Sequence, residues 1–130
     1  MIPYIPVSIG ELIDKISILE IKKKYILDPR KQVNINNELR CLSEVLKTSN
    51  VAKDDVLDQL MNEMIEINED IWHNEDKIHE LMRHPRSDQE FIDVAFAIHS
   101  GNDARARHKL KINRKYGSTI VEEKSHEEIV

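Results

Sequence analysis

The chain has 130 residues, a formal net charge of −5 and a single cysteine. Single domains usually have about 100–200 residues, so one domain with its own core fits this length. One cysteine excludes an internal disulfide, which favours a reducing compartment and a core position for Cys41. A negative net charge argues against a general nucleic-acid binder, because neutralisation of phosphates dominates that affinity. No signal-peptide pattern and no apolar stretch near the roughly 20 residues of a membrane span occur, so we expect a cytoplasmic location.

The first predicted helix follows a short extended arm. Residues 1–7 hold two prolines, which bias the residues before them away from the helical region. Ser8 and Glu11 form a capping box, so the helix begins near Ile9, and Asp28-Pro29 ends it. Asp14 and Lys15, at positions 14–15 beside its apolar face, are expected to form a solvated pair.

Two further helices are predicted before Pro85. The second carries apolar residues from Val33 to Leu46 and breaks near Ser49-Asn50. The third begins near Asp54, whose charge suits a helix N-terminus, and runs to about Arg83. At 1.5 Å per residue this helix is about 45 Å long.

The last part of the chain predicts either two helices or one long rod. A capping box at Ser87 to Glu90 opens helix 4, which covers roughly Asp88 to His99. The segment 100–103 contains Gly101 and predicts a break or a kink. Helix 5 then runs to Tyr116, and residues 118–130 form a partly flexible tail, in which Ile120-Val121 is expected to dock.

Charge is distributed unevenly between these helices. From Asp54 to Glu80, acidic residues are frequent and Lys77 is the only Lys or Arg. From Asn102 to Tyr116, Lys and Arg dominate and Asp103 is the only acid. The simplest expectation is that the acidic and the basic helix pack against each other.

Polar residues interrupt the apolar stripes of both helices. In helix 3, Asn68 and Glu75 occupy positions where helical spacing calls for apolar residues. In helices 4 and 5, read as one rod, the same is true of Asn102, Arg105 and Lys109. Burying an unpaired charge costs roughly several kcal/mol. We therefore expect the acidic residue that interrupts one stripe to pair with the basic residues that interrupt the other.

Two interpretations of these interruptions remain open. The first is an ion-pair network that fixes the register of the helices. The second is a ligand pocket in which Arg105 and Lys109 hold a phosphate or carboxylate, while Glu75 and Asn102 orient it. A break at Gly101 would undermine both, because it would rotate helix 5 away from the stripe.

Four blocks of the sequence lie in order over most of the chain, and they are Ser8-Ile9-Gly10-Glu11-Leu12-Ile13-Asp14-Lys15-Ile16-Ser17-Ile18-Leu19-Glu20-Ile21-Lys22, Ile71-Trp72-x-x-Glu75-Asp76-x-Ile78, Asn102-Asp103-x-Arg105-Ala106-x-x-Lys109-x-x-Ile112-Asn113 and Val121-Glu122-Glu123-Lys124-Ser125. These blocks resemble the signature of a family of short bacterial and phage proteins to which no activity is assigned.

The resemblance implies recurring polar positions and no chemistry. These positions are Glu75, Asp76, Asn102, Asp103, Arg105, Lys109 and Asn113. The chain departs from the family at two places, since members tend to have an aromatic residue at or beside His99 and a tyrosine in place of His126. If those aromatics line a pocket, the ligand of this chain would differ.

Established enzyme chemistries fit the sequence poorly. Magnesium-dependent nucleotide pyrophosphohydrolases carry a sequence pattern that is matched here by Glu63-x-x-Glu66 and Glu90-x-x-Asp93. A turn near Pro85 would, however, keep these two pairs of carboxylates too far apart to share a metal ion. The histidines of helix 3 fan around its axis, and the six histidines of the chain are expected to be mostly solvated. The sequence therefore predicts no metal site and no cofactor.

Together these features predict an all-α, four- to five-helix bundle over residues 1–130, with one long acidic helix antiparallel to a basic C-terminal helix pair. The sequence does not establish a function. The leading hypothesis is a small domain that binds, or acts on, an anionic metabolite through the polar cluster. The alternative is a structural or adaptor protein in which the cluster only fixes packing, with a homodimer along the exposed part of helix 3.

Overall fold

The computed structural model describes residues 1–84 and 88–126, and within these ranges it contains four α-helices and no strand. The helices are α1 (Ile9–Tyr25), α2 (Pro29–Thr48), α3 (Asp55–Arg83) and α4 (Asp88–Tyr116). The predicted all-helical class is confirmed. Strong local signals account for it, because long runs of helix formers are separated by capping residues and prolines.

Side-chain caps set where three helices begin. The Oγ of Ser8 accepts a hydrogen bond from the backbone N–H of Glu11 at 3.0 Å, which is one of the two bonds of the predicted capping box, and the Glu11 carboxylate contacts Lys15 and Lys109. Asp28 caps α2, which opens on Pro29, a position where the missing N–H costs no bond. Asp54 caps α3 by accepting from the N–H of Leu57 at 3.0 Å. The sequence places these ends well because each cap is a local interaction.

Helix α1 lies at the centre of the bundle. It contacts each of the other three helices, whereas α2 contacts α1 alone among the described residues. Helices α3 and α4 pack along each other and run antiparallel: Leu60, early in α3, meets His108 late in α4, and Lys77 meets Glu90. The apolar side chains of α2 are therefore covered from one side only, and Ile35 is the one buried residue of that helix.

Two apolar clusters form the core at opposite ends of the α3–α4 pair. The larger joins α1, α3 and α4 through Ile13, Leu57, Leu60, Met64 and Ile112. The smaller joins the other end of α3 to α4 through Leu81, Val94 and Ile98. Burying one such side chain stabilises the fold by roughly 1.5–3 kcal/mol. Between the two clusters lies the polar region that the sequence singled out.

The predicted break at Gly101 does not occur. Helix α4 is continuous from Asp88 to Tyr116, so one rod replaces helices 4 and 5. A Cβ atom on Gly101 would lie 2.7 Å from Cγ1 of Ile71 on α3. The glycine therefore permits close packing of α3 and α4. This packing outweighs the roughly 1 kcal/mol by which a glycine destabilises a helix interior relative to alanine.

Three expectations about burial are wrong. Cys41 is exposed and not part of the core, because it lies on the outer face of α2. Asp14 is buried, at 6% exposure, while only its neighbour Lys15 is exposed. Ile120 and Val121 stay at least 40% exposed, since the segment after α4 is held by polar side chains. The capping box predicted at Ser87 to Glu90 begins outside the described residues.

Within the two described ranges, no helix combines the length and the apolar character that crossing a membrane would require.

Candidate functional site

The polar residues predicted from the sequence fall into two neighbouring groups. Four of them line a groove between α1, α3 and α4, and these are Glu75, Asp76, Asn102 and Arg105. The remaining ones, Asp103, Lys109 and Asn113, also lie on α4 but outside this groove, and they contact the start of α1 or the segment after α4. The single cluster expected from helix periodicity is thus two adjoining sites.

The groove has a volume of about 490 Å³. Its floor is aliphatic, with Ile18 and Ile21 of α1 and Ile71 of α3. Polar side chains of α3 and α4 and one aromatic ring complete the wall, and these residues are Asn68, Trp72, Glu75, Asp76, His79, Asn102 and Arg105. A concave surface with an apolar floor and a few converging polar groups is what small-molecule sites generally have.

Arg105 is half-buried and held by neutral side chains. Its Nη2 donates to Oδ1 of Asn102 at 2.8 Å, and its Nη1 lies 3.4 Å from Oδ1 of Asn68. Within residues 1–84 and 88–126, no carboxylate lies within ion-pair distance of this guanidinium. A guanidinium carries five N–H donors, so this arrangement fixes its direction and leaves donors for a ligand.

The acidic residues of the groove lie further along α3. Asp76 is exposed and makes no hydrogen bond or ion pair with the rest of the described chain. Glu75 lies 4.0 Å from the ring of His79, whose Nδ1 is also 2.7 Å from the backbone oxygen of Glu75. The side chain of Glu75 is 48% exposed, so this residue does not interrupt the buried stripe as its spacing suggested.

An aromatic pair stands at the edge of the groove. The rings of Trp72 and Tyr25 are stacked, with centroids 6.0 Å apart and planes inclined by 19°. The hydroxyl of Tyr25 lies 3.1 Å from Nε2 of His73, which holds the tyrosine ring in place. Trp72 lines the groove and is the only tryptophan in the chain.

Asn68 lines the groove and connects all three helices. It is 4% exposed, and its Nδ2 donates to Oδ1 of Asp14 at 2.8 Å and to Oγ of Ser17 at 2.7 Å. The Ser17 hydroxyl donates in turn to the backbone oxygen of Asp14. The predicted polar interruption at Asn68 is thus buried, and each of its polar atoms has a partner.

Lys109 is enclosed by carboxylates. Its Nζ bonds to Glu11, lies 3.1 Å from Oε2 of Glu122 and 3.9 Å from Oδ2 of Asp14. Burial acts to lower the pKa of Lys109, but its bonds to Glu11 and Glu122 outweigh burial, so this pKa lies above its ordinary value. Burial likewise acts to raise the pKa of Glu11, and the bond with Lys109 outweighs it, so the pKa of Glu11 is lowered.

Asn113 and the segment after α4 complete the first turn of α1. The N–H of Gly10 donates to Oδ1 of Asn113 at 2.7 Å, and the N–H of Ile9 lies 3.4 Å from Oγ of Ser118. A Cβ on Gly10 would lie 2.5 Å from the backbone oxygen of Lys109, so only glycine fits there. The helix start thus has partners for donors that would otherwise need water.

The chain turns back along α4 at Gly117. This glycine has a positive φ of 63°, a conformation that other residues rarely adopt. The following segment then reaches Lys109 through Glu122, while Lys124 bonds to Asp103. Asp103 is itself buried, at 5% exposure. This segment lies over the second polar group and not over the groove.

Sequence reasoning missed several residues of the polar region. Asp14 and Ser17 are buried on α1, although periodicity placed neither in an apolar stripe. His108 is 7% exposed, and its Nε2–H donates to the backbone oxygen of Leu60 at 2.8 Å while Nδ1 lies 3.6 Å from Glu63. The available signal was helical spacing, since His108 lies four residues before the buried Ile112.

Within the described ranges, His, Cys, Asp and Glu side chains form no group of three or more that could hold a metal ion. Comparison with known proteins adds no assignment, because no protein-family model, curated protein or solved structure matches the chain. The resemblance to a family of bacterial and phage proteins therefore stays a prediction. The groove has to be interpreted from its own geometry.

Proposed function

We propose that this helical domain binds a small anionic metabolite, through a phosphate or carboxylate group, in the groove between α1, α3 and α4. The observation that carries the proposal is the guanidinium of Arg105. It is half-buried, it is oriented by Asn68 and Asn102, and no described carboxylate neutralises it. A partly desolvated charge without a counter-charge is costly for stability alone, and such charges concentrate at binding sites.

An oxyanion is the ligand group that fits a guanidinium best. Its planar fork can donate two parallel bonds to a phosphate or carboxylate, and these charge-assisted bonds are about twice as strong as neutral ones. Asn102 and Asn68 would fix the fork by accepting two of its N–H groups. Glu75 would act as a hydrogen-bond acceptor for another part of the ligand.

Its spacing suggested that Lys109 holds the anion together with Arg105, but this proposal gives Lys109 a structural role. Its ammonium is surrounded by Glu11, Asp14 and Glu122, and it does not line the groove. We infer that Lys109 fixes the packing of α4 on α1 and that its charge is not available to the ligand. The anion therefore depends on Arg105.

The experiment is a binding assay with inorganic phosphate, sugar phosphates and dicarboxylates, by calorimetry and by the shift in melting temperature. Arg105→Met should abolish binding. Arg40→Met is the matched control, because Arg40 on α2 is exposed and also bonds to an asparagine, Asn37, at 2.7 Å. Failure of every anion to bind, or equal binding by the Arg105 variant, would refute the proposal.

The second candidate is a structural or adaptor protein, and the second polar group favours it. Glu11, Asp14, Lys109 and Asn113 all have protein partners and need no ligand to explain them. Attraction between acidic α3 and the basic half of α4, as in the ion pair of Glu63 with Lys111, fits the same view.

Exposed apolar side chains could then recruit a partner or a second copy of the chain. The last turn of α3 and the first turns of α4 expose a set of them, namely Met82, Phe91, Ile92 and Phe96. Sedimentation over a range of concentrations would detect self-association. A monomer at every concentration that also binds an anion through Arg105 would exclude this candidate.

A further inference from the structure

The groove has a linear order of chemical groups along α3. Asn68, with Arg105 against it, lies at one end. Trp72 follows after four residues and Asp76 after eight, which is about 6 Å and about 12 Å along the axis at 1.5 Å per residue. A cationic end, an aromatic and aliphatic middle and an acidic end thus follow one another within one groove.

We propose that the ligand is a nucleoside monophosphate whose base carries an exocyclic amine, such as an adenine or cytosine nucleotide. This inference rests on the proposed function and assigns the ligand class of the same groove. The phosphate would bond to Arg105, the base would pack against Trp72, and the amine would donate to Asp76 or Glu75.

The middle of the groove best fits a planar, weakly polar group of the ligand. Its floor is made of Ile18, Ile21 and Ile71, and Trp72 stands beside them, backed by the stacked ring of Tyr25. A planar base gains dispersion and stacking contacts there, worth roughly 1–3 kcal/mol per stacked base. A sugar phosphate alone would leave this part of the groove in water.

The acidic end calls for a hydrogen-bond donor. Ionised carboxylates only accept hydrogen bonds, and Asp76 has no partner among the described residues. An exocyclic amine supplies two N–H donors at the edge of a planar base, whereas a carbonyl oxygen in its place would face another acceptor. A second phosphate would likewise meet negative charge. The α-carboxylate and α-ammonium of an amino acid share one carbon, so this pair of groups cannot reach both ends of the groove.

The test compares ligands in which that amine and the adjacent ring-nitrogen acceptor are replaced by a carbonyl oxygen and a ring N–H. AMP and IMP form one pair, CMP and UMP the other, and ribose 5-phosphate reports on the anion site alone. Affinities come from calorimetry, and stacking comes from the fluorescence of the sole tryptophan, Trp72. We expect AMP and CMP to bind about tenfold or more tightly than IMP and UMP. We expect AMP to quench the fluorescence and ribose 5-phosphate to leave it unchanged.

The double variant Glu75→Gln/Asp76→Asn should remove the preference for AMP over IMP. Asp70→Asn, an exposed change on the same helix outside this groove, is the control and should keep the preference. Equal affinity for all four nucleotides and ribose 5-phosphate would overturn this inference but leave the proposed function standing. No binding of any nucleotide, ribose 5-phosphate, inorganic phosphate or dicarboxylate would overturn both.

Discussion

Replacing Arg105 by methionine separates a binding role from a structural role. The guanidinium makes one good bond, to Asn102 at 2.8 Å, and one long contact, to Asn68 at 3.4 Å. Bonds to charged groups stabilise by about 1.5–3 kcal/mol each at most, and removing a half-buried charge offsets part of that loss. Methionine keeps the apolar stem. We expect the free energy of unfolding to change by less than about 1.5 kcal/mol.

Lys109→Met is the matched comparison, because it removes the same charge from the same helix. Its side chain is 14% exposed and contacts the carboxylates of Glu11, 20% exposed, and Asp14, 8% exposed. Removing one partner of a buried ion pair typically costs about 3–5 kcal/mol. Discounting for the partial exposure of Glu11, we expect a loss of about 2–4 kcal/mol.

The assay is thermal and urea unfolding followed by circular dichroism, without ligand. For a domain of this size 1 kcal/mol corresponds to about 3–5 °C in Tm. Lys109→Met should therefore lower Tm by roughly 6–20 °C, and Arg105→Met by less than about 7 °C. If Arg105→Met lost as much as Lys109→Met, the guanidinium would be part of the structural framework, and the argument for a binding site would fail.

Three further variants give predictions that the same unfolding assays can test. Gly10→Ala should lower the free energy of unfolding by about 1–3 kcal/mol, since the new Cβ would overlap the backbone oxygen of Lys109; a neutral result in urea unfolding would mean that the helices can separate freely there. Asn68→Leu restores the apolar stripe but removes the donor to Asp14, so we expect a loss of about 1–3 kcal/mol, and a gain in Tm would contradict the bonds described. Glu11 has a pKa below its ordinary value of 4.5, so its contribution is complete above that pH and is lost as the pH falls through the lowered pKa. Glu11→Gln should therefore flatten the fall in stability as the pH drops below about 4.5, and an unchanged slope in urea titrations would refute this.

The helix boundaries could be predicted because their causes are local. Ser8 and Asp54 each cap a helix within three residues of their own position, and the sequence shows that spacing directly. Gly101 could not be interpreted in the same way. A glycine inside a helical pattern indicates a break unless another helix approaches it, and the approach of Ile71 is visible only in three dimensions.

The candidate site could be predicted where polar residues stand at helix positions that the periodicity assigns to the apolar face. Asn68 and Arg105 were found in this way, and they do meet. The division of the cluster was not predictable, because Lys109 and Arg105 are one turn apart on α4 and sequence cannot tell which of them meets carboxylates. Asp14 was missed because a lone acid beside an apolar face is usually solvated.

The start of α1 depends on residues made long after it. Gly10 and Asn113 are separated by 103 positions in the chain, and Ile9 and Ser118 by 109. During synthesis α1 and α2 can pair early, since they are neighbours, but the first turn of α1 has to wait until the last turn of α4 has left the ribosome. The contacts at the start of α1 are therefore completed late in synthesis, when the end of α4 becomes available to them.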